Sequence, residues 1–488
     1  MRRRAELTPD RTFIRFEGSR YSFRDIDRRA SDFAAFLSRR NFPRQAKVAI
    51  LARNCPDFIA SYIGILRAGG VAVPLNILLA PAEIAYILSD ADAVLCFYGR
   101  EKSDVVEEIG KTCSIEFTPF DEIREPAQRT VLAGIENDSD EIATLLYTSG
   151  TTGHPKGAML THRNIVSNAV AGTSALAVSE RDRLIVFLPL SHSFTFTVCV
   201  VIPILLGASI TLLPSVKPFS NVIKRLVLDR VTVFVAVPIV YTLLSRKRLP
   251  FFFRYLLSLR FCISGAAPLP LCTLEAFERA FRLPLLEGYG LTEASPVVCV
   301  NRIAPRKPGT VGLPLPGVAV KVVDDEGVEV SIDTPGELLV KGPNVMKGYF
   351  KRADDTAMAI RGEWLCTGDI AVIDKEGYIK IVDRKKDMII VDGLNVYPSE
   401  VEEAALTHAA VSDCAMVGIT GEGERELPVM FVTVQKDKAL NEKELRSHLM
   451  KRIAPYKVPR RIIAVEELPR SATGKVLKRE LKKWPLSL

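Results

Sequence analysis

The segment 147–157 has the sequence YTSGTTGHPKG, a dense run of glycine and hydroxyl residues that follows an apolar stretch at 142–146. Glycines let a backbone approach a ligand closely, and hydroxyls together with backbone N–H groups can surround phosphate oxygens. The segment is not a Walker A loop, which ends in Gly-Lys-Ser/Thr, because here Lys156 precedes Gly157. A flexible surface turn could share this composition, but so dense a run favours a phosphate-binding loop. Its candidate ligands are Thr148, Ser149, Gly150, Thr151, Thr152, Gly153 and Lys156.

Six further motifs follow this loop along the chain. They are LPLSHSF at 188–194, SGAAPL at 264–269, EGYGLTE at 287–293, Trp364 with TGD at 367–369, Asp383-Arg384, and SATGK at 471–475. In this order they resemble the signature motifs of the adenylate-forming (AMP-binding) superfamily, which contains acyl-CoA synthetases, firefly luciferase and peptide-synthetase adenylation domains. The resemblance spans nearly the whole chain, and it is to the acyl-CoA synthetase, or fatty-acid–CoA ligase, branch.

The resemblance implies that the middle motifs bind ATP. Gly265, Ala266 and Ala267 would lie on the adenine side, and Tyr289, next to Gly290, would offer its ring to the purine. Stacking of a base on an aromatic ring is worth about 1–3 kcal/mol. Without the other motifs, the same residues could form an ordinary turn into a helix.

Four polar residues are placed around the ribose and the phosphates by the same resemblance. Asp369 would accept hydrogen bonds from both ribose hydroxyls, and Arg384 would add a guanidinium nearby. Thr292 would donate to the α-phosphate, and Glu293 is a hard oxygen ligand suited to Mg²⁺. As isolated residues, Asp369 and Arg384 would more often be surface charges.

Lys475 is the residue to which the resemblance assigns the first chemical step. When a carboxylate attacks the α-phosphorus and pyrophosphate leaves, negative charge builds on the phosphoryl oxygens, and a preorganised cation stabilises it. Composition alone would favour a solvated lysine in a basic tail, and only the match of PRSATGK at 469–475 to the family pattern changes that interpretation. Similar enzymes then rotate the C-terminal domain. The matching hinge residue is Lys386, and the segment 388–398, with Gly393 central, would line a channel for the thiol of CoA.

The residues expected around the acid are strongly apolar, at 194, 196, 198 and 234–240. No Asp stands at 234–237, where amino-acid-activating relatives place one, and an unpaired amine in such a pocket would be costly. The small Gly288 would leave room for a chain. His192 is expected on the carboxylate side, although a lone histidine near an apolar run is more often a core residue.

The sequence therefore predicts an ATP-dependent acid–thiol ligase. It would activate a carboxylic acid, a medium- or long-chain fatty acid, as acyl-AMP with release of pyrophosphate, and then form acyl-CoA. An acyl-acyl carrier protein synthetase and an aryl-acid–CoA ligase stay open as alternatives. A luciferase-like or peptide-synthetase-like enzyme is disfavoured by the apolar pocket. A nucleotide-binding protein without ligase activity would need decayed catalytic positions, and Thr292, Glu293, Asp369 and Lys475 are all present.

Strand-like and helix-like patterns alternate along the chain, which favours an α/β protein with parallel sheets covered by helices. Apolar runs at 47–52, 71–74, 93–97, 183–188, 208–213, 231–237 and 259–264 are the predicted strands. From about residue 311, short strands at 318–323, 336–341 and 378–382 alternate with Gly, Asp and Pro turns, which favours antiparallel pairing. Further strands are predicted near 414–417 and at 429–434. We expect a large N-terminal domain of layered sheets flanked by helices (1–383), which includes a smaller distorted β-barrel from about residue 311. A mobile α+β C-terminal domain would span 384–488.

The net charge of +8 suits contact with nucleotides, CoA phosphates or anionic lipid, although a solvated basic surface explains it as well. No nucleic-acid-binding module is evident, so nucleic acid is not expected as a partner. The nine scattered cysteines fit a reducing cytosol, and no apolar segment of a signal peptide follows the basic N-terminus.

The uncharged stretch 187–216 is interpreted as a buried helix, a turn at Gly207 and a strand. The basic, aromatic segment 245–260 could contact a membrane peripherally or be the outer face of a domain helix.

Overall fold

The computed structural model describes residues 1–123, 138–148, 155–246, 256–391, 394–420, 426–436, 438–471 and 474–484 of this chain. In these residues two large sheets, each with helices packed on it, are followed by a small antiparallel sheet and a C-terminal α+β unit. The sequence-based prediction of an α/β fold is confirmed.

The first large sheet has six strands, and it positions the phosphate-binding loop. Five strands run parallel and the last is antiparallel, in the spatial order Glu116–Pro119, Ala93–Tyr98, Lys47–Leu51, Val71–Pro74, Ile142–Thr148 and Lys156–Thr161. The helices of this part are Phe23–Arg39, Pro56–Arg67, Pro81–Asp90, Ser103–Gly110 and His162–Leu176. Because the last two strands form a hairpin-like antiparallel pair, the predicted loop lies at their connection.

The second large sheet has nine strands, of which six form a parallel centre. Their spatial order is Leu313–Pro314, Val297–Val300, Leu285–Gly290, Phe261–Ser264, Val233–Ala236, Arg183–Val186, Ser209–Leu212, Thr12–Phe16 and Ser19–Ser22. Its helices are Arg2–Leu7, Ser193–Phe196, Ile202–Leu206, Phe219–Leu228, Pro238–Arg246 and Leu271–Phe281, and a π-helical turn spans Thr197–Val201. Ligands of open parallel sheets bind beyond the carboxyl ends of the strands, which is where the motifs of this part stand.

The uncharged stretch 187–216 folds as the sequence suggested. Consecutive helical turns from Ser193 to Leu206 end at Gly207, whose φ of +78° favours glycine, and the buried strand Ser209–Leu212 follows. No helix among the described residues is long and apolar enough to cross a membrane.

A five-stranded antiparallel sheet follows from about residue 319. Its strands are Ala319–Val323, Gly336–Lys341, Ile360–Arg361, Trp364–Ile373 and Ile379–Arg384, and the helix Ala353–Ala359 precedes the third. This sheet corresponds to the small barrel-like unit that the resemblance implies, and the expected change to antiparallel pairing is confirmed.

The last part of the chain is the α+β unit. A short 3₁₀ turn at Lys385–Asp387 leads into the hairpin Ile389–Val391 and Leu394–Val396. A three-stranded sheet (Val411–Thr420, Glu426–Val434, Arg461–Ala464) and the helices Pro398–Leu406, Glu442–Met450 and Lys478–Leu481 complete it. Its buried side chains form two hydrophobic clusters made only of residues from Ile389 onward. The unit therefore has a core of its own.

Candidate active site

A wide cleft between the two large sheets, the small sheet and the C-terminal unit is lined by residues of all seven motifs. The lining includes Thr148 and Lys156 from the loop, His192, Thr292 and Glu293 from the middle motifs, and Asp369, Arg384, Lys386 and Lys475 from the later ones. Positions scattered over more than half of the sequence thus meet in one place.

The two ends of the phosphate-binding loop are fixed by the sheet. Thr148 ends one strand, Lys156 begins the next, and the two residues pair across the antiparallel ladder. The Lys156 ammonium lies 2.5 Å from an Asp355 carboxylate oxygen and 5.6 Å from the centre of the Tyr349 ring. Five of the predicted ligands, Ser149, Gly150, Thr151, Thr152 and Gly153, lie outside the described residues.

Glu293 receives two hydroxyl donors on one carboxylate oxygen. The Tyr349 hydroxyl donates to its Oε1 at 2.8 Å, and the Thr148 hydroxyl lies 3.5 Å from the same atom. Proteins usually bind Mg²⁺ through one or two carboxylates and the phosphates of a substrate. No group of three or more His, Cys, Asp or Glu that could hold a metal occurs in the described residues. A single carboxylate beside the loop, such as Glu293, suits Mg²⁺ that is bound together with the phosphates of a nucleotide.

Thr292 stands next to Glu293, at the start of a 3₁₀ turn that follows the strand Leu285–Gly290. Its hydroxyl lies 3.3 Å from that of Ser193. The turn is tight because Gly290 has no side chain: a Cβ there would lie 2.1 Å from the carbonyl oxygen of Pro296. Glycine at this position thus lets the chain place Thr292 and Glu293 at the mouth of the cleft.

Asp369 is the centre of a polar cluster on the other side of the cleft. It pairs with Arg384 across two antiparallel strands, and the Arg384 Nε lies 3.3 Å from its Oδ1. The Tyr289 hydroxyl donates to its Oδ2 at 2.5 Å. Burial and the neighbouring Asp369 raise the pKa of Tyr289 well above its ordinary value. The tyrosine therefore keeps its proton, and its ring is held in place at the edge of the cleft.

The segment Gly265, Ala266, Ala267 forms a close turn after the buried strand Phe261–Ser264. A Cβ on Gly265 would lie 2.8 Å from the Phe194 ring, and Ala266 has a left-handed φ of +67°. Behind it, Glu287 accepts a hydrogen bond from the backbone N–H of Leu269 at 2.9 Å. Burial raises the pKa of Glu287 to about 8.

His192 lies at the boundary between the cleft and the apolar core. The backbone N–H of Phe194 donates to its Nδ1 at 3.3 Å, and burial lowers the pKa of the ring to about 4. The imidazole is therefore uncharged at neutral pH. A neutral ring can accept or donate a hydrogen bond at this boundary without the cost of a buried charge.

Lys475 reaches the cleft from the C-terminal unit. Burial, and then the Arg384 guanidinium, lower the pKa of Lys475 to about 8, whereas Asp369 and Asp387 act in the opposite direction. The preceding Gly474 has a φ of +79°, and a Cβ there would lie 3.1 Å from Ile239. Lys386 is also close to Arg384, and burial is the main cause that lowers its pKa. Gly393 lies outside the described residues.

Two residues at the site carried no signal in the sequence. Tyr349 and Asp355 contact Glu293 and Lys156, but they stand in an isolated β-bridge and a short helix without a phosphate-site pattern. Ser193 lay inside a recognised motif, and its contact with Thr292 joins segments far apart in the chain. Long-range pairs of this kind follow from the fold and not from local spacing.

The fold and the cleft together define a nucleotide-binding class of protein with a separate C-terminal unit over its site. A family model described as "AMP-binding enzyme" matches residues 1–350, and one described as "AMP-binding enzyme C-terminal domain" matches residues 400–475. The chain belongs to the AMP-binding enzyme family.

Its relatives include CoA ligases for different acids. The chain is 34% identical to a long-chain-fatty-acid–CoA ligase of Bacillus subtilis, with 97% of this chain and 91% of that protein covered. It is also 34% identical to a 2-succinylbenzoate–CoA ligase of Bacillus mycoides, with 98% and 97% covered. A crystal structure of ATP-bound MatB from Rhodopseudomonas palustris has a TM-score of 0.92 at 30% identity, with 98% of this chain and 97% of that chain covered.

Proposed function

We propose that this protein is an ATP-dependent acid–CoA ligase that first forms an acyl-adenylate and then a thioester. The observation that carries the proposal is the position of Lys475, which lines the same cleft as Asp369 and Arg384 although it belongs to the C-terminal unit. Thr148 and Glu293 line this cleft as well. A site built in this way can bring a cation to a nucleotide held by the two large sheets.

In the first half-reaction, a carboxylate oxygen of the acid attacks the α-phosphorus of ATP. The bond between the α-phosphorus and the bridging oxygen breaks, and pyrophosphate leaves with the electron pair. Lys475 would neutralise the charge that builds on the phosphoryl oxygens, and Thr292 would donate a hydrogen bond to them. Glu293 would hold Mg²⁺, which would supply further neutralisation of the triphosphate. Asp369 and Arg384 would hold the ribose, and the ring of Tyr289 would stack on the adenine.

In the second half-reaction, the thiolate sulfur of CoA attacks the acyl carbonyl carbon, and AMP leaves. We propose that residues 384–488 rotate about Lys386 between the two steps, so that Lys475 withdraws and the segment around Gly393 enters. The separate core of this unit supports such motion, since its hydrophobic clusters share no residue with the N-terminal part. The boundary between the two domains would then lie near residue 384.

The acid side of the cleft supports an apolar substrate. Phe194, Val198, Val237 and Ile239 line it together with Val300, and the uncharged His192 stands at its polar end. Burial of apolar groups contributes about 0.8 kcal/mol per methylene, whereas an unpaired amine would lose its hydration. The similarity to long-chain-fatty-acid–CoA ligases agrees with this lining, so a medium- or long-chain fatty acid is the proposed substrate.

An aryl acid is the second candidate, and a specific observation favours it as well. The 2-succinylbenzoate–CoA ligase of Bacillus mycoides is as similar in sequence as the fatty-acid ligase and is covered more completely. The same apolar lining would accept an aromatic ring.

An acyl carrier protein could replace CoA as the acceptor, because both present a thiol on a pantetheine arm. Contact with a membrane surface through residues 245–260 is a further proposal, and most of that segment lies outside the described residues.

A pyrophosphate-release screen tests the proposed function and separates these substrates. The purified protein would be given ATP, Mg²⁺ and straight-chain acids of about two to eighteen carbons, since each added methylene gains about 0.8 kcal/mol of burial. Aryl acids and amino acids would be screened in parallel, first with CoA and then with a carrier protein. Release with longer fatty acids and CoA is expected. Release with amino acids alone would contradict the proposed substrate.

A further inference from the structure

A guanidinium at the rim of the cleft joins the N-terminal part to the C-terminal unit. Arg246 is the last described residue of the helix Pro238–Arg246, and its Nη1 donates to the Ser412 hydroxyl at 2.9 Å. Its Nη2 donates to the backbone carbonyl of Ser412, also at 2.9 Å. Two donors of one rigid fork meet two acceptors of one residue, so the contact depends on orientation as well as distance.

The position of Ser412 in its strand makes these acceptors available. In the pairing of Val411–Thr420 with Glu426–Val434, the register shifts between Val411 and Asp413. Ser412 is therefore the extra residue of a β-bulge, and such residues are left out of the ladder. Bulges often redirect a side chain, and here Ser412 contacts Arg246 of the facing domain.

The same strand is tied to the loop that carries Lys475. Asp413, next to Ser412, accepts from the guanidinium of Arg470, and that guanidinium also donates to the carbonyl oxygen of Gly474. Gly474 in turn lies against Ile239, in the first turn of the helix that carries Arg246. One helix thus touches the C-terminal unit both at its first turn and at Arg246, and each of the two contacts is connected to the loop that carries Lys475.

We propose that Arg246 is a positioning residue that latches the C-terminal unit, through Ser412, in the arrangement that delivers Lys475. This rests on the proposed two-step function. Ser412 and Lys475 belong to the same unit, so a rotation that withdraws Lys475 from Asp369 also carries Ser412 away from Arg246. A contact made in only one of two arrangements shifts the population toward that arrangement. For an exposed contact of this type, the shift is about 3- to 10-fold.

The latch predicts opposite effects on the two half-reactions. Arg246→Ala should lower the rate of ATP–pyrophosphate exchange by about 3- to 10-fold, because less of the enzyme presents Lys475. Thioester formation from preformed acyl-adenylate and CoA should stay equal or become faster. Lys224→Ala is the matched control, since Lys224 is an exposed cation on a neighbouring helix of the same domain. This control should leave both rates unchanged.

A variant that strengthens the contact between Arg246 and residue 412 distinguishes the proposed latch from a general loss of folding. Ser412→Asp gives Arg246 an ionic partner, so exchange should rise and thioester formation from acyl-adenylate should slow. Neither effect should survive when Ser412→Asp is combined with Arg246→Ala. An Arg246→Ala variant in which both half-reactions fall together, or neither changes, would overturn the latch. A native enzyme that exchanges pyrophosphate with no acid would instead refute the proposed function, so the two failures are distinguishable.

Discussion

At the residue scale, the surroundings of Lys475 disfavour the charged form of its side chain. Burial and the Arg384 guanidinium lower its pKa to about 8, although Asp369 lies nearby. Only the ammonium form can neutralise phosphoryl charge, so the lysine is close to losing its function at mildly alkaline pH. A bound triphosphate adds negative charge and must raise this pKa, which means that substrate binding itself secures the proton.

The first prediction concerns pH. The kcat/KM for ATP in pyrophosphate exchange should fall as the pH rises above about 8, because this parameter reports the free enzyme. The decline in kcat should come at higher pH, since the bound nucleotide raises the pKa. A profile from roughly pH 6 to 10 measures both. Lys475→Arg, which stays charged over that range, should remove the decline. If the native profile is flat above pH 8, Lys475 is not the titrating cation.

A second prediction at this scale concerns Tyr349, whose hydroxyl donates to Glu293 at 2.8 Å. Residues that orient a metal ligand typically contribute 10- to 100-fold in metal affinity. Tyr349→Phe should therefore raise the Mg²⁺ concentration needed for half-maximal exchange by about 10-fold. The ring that faces Lys156 is retained, so the maximal rate at saturating Mg²⁺ should change little. An unaltered Mg²⁺ titration would contradict the assignment of Glu293 as a magnesium ligand.

The sequence located most of these residues, but not their partners. The order and spacing of the motifs identified Thr148, Glu293, Asp369 and Lys475, and all of them line one cleft. Tyr349 and Asp355 were missed, because a single tyrosine or aspartate outside the motifs has no local signature. Their importance comes from contacts with residues far away in the chain, and such contacts can only be seen in the folded protein.

At the element scale, the apolar runs predicted the strands well in the buried sheets. The run at 71–74 coincides with the strand Val71–Pro74, and that at 336–341 with Gly336–Lys341. Agreement was poorer where a strand continues beyond its apolar centre. The strand predicted near 414–417 extends over Val411–Thr420, because its polar residues pair across the sheet or form the bulge at Ser412. Buried strands can be predicted because burial requires apolar residues, whereas backbone pairing alone places little constraint on residue type.

The strand Leu285–Gly290 gives the prediction at this scale. A Cβ at Gly290 would lie 2.1 Å from the backbone carbonyl oxygen of Pro296, which cannot move aside as a flexible side chain could. Gly290→Ala should lower the free energy of unfolding by about 1–3 kcal/mol and reduce adenylation by displacing Thr292.

Gly110→Ala is the matched control, since a Cβ at that helix end meets nothing within 4 Å. The two variants would be compared by urea unfolding and by pyrophosphate exchange. Equal urea midpoints for both variants would mean that the turn after Gly290 tolerates a side chain.

At the scale of the whole molecule, polar contacts near the hinge join the two units among the described residues. The Lys385 ammonium binds Asp325 and Glu337 of the small sheet, and Asp383 accepts from the backbone N–H of Ser399 at 2.7 Å. The placement of the C-terminal unit could not be predicted from local patterns. It was expected only from the resemblance, because the contacts that fix it join distant segments.

Restriction of the hinge should separate the two half-reactions. Proline at position 386 fixes φ and removes a backbone N–H, so Lys386→Pro should hinder rotation of the C-terminal unit. We expect one half-reaction to keep near-native rates in single-turnover assays, while steady-state acyl-CoA formation falls. Lys386→Ala, which leaves the backbone free, should behave like the native protein in steady state. Normal turnover of the proline variant would rule out a hinge at this residue.

The central claim is that a lysine of the C-terminal unit serves adenylation alone, and the split of the two half-reactions in Lys475→Ala tests it most directly. Loss of a preorganised electrostatic donor predicts a decrease of about 10²–10³ in the rate of pyrophosphate exchange. Thioester formation from preformed acyl-adenylate and CoA should remain within about a factor of two, since that step makes no use of the ammonium group. Lys482→Ala, an exposed lysine of the same tail, should leave both rates unchanged. Native exchange rates in Lys475→Ala, or an equal loss in both half-reactions, would contradict the account.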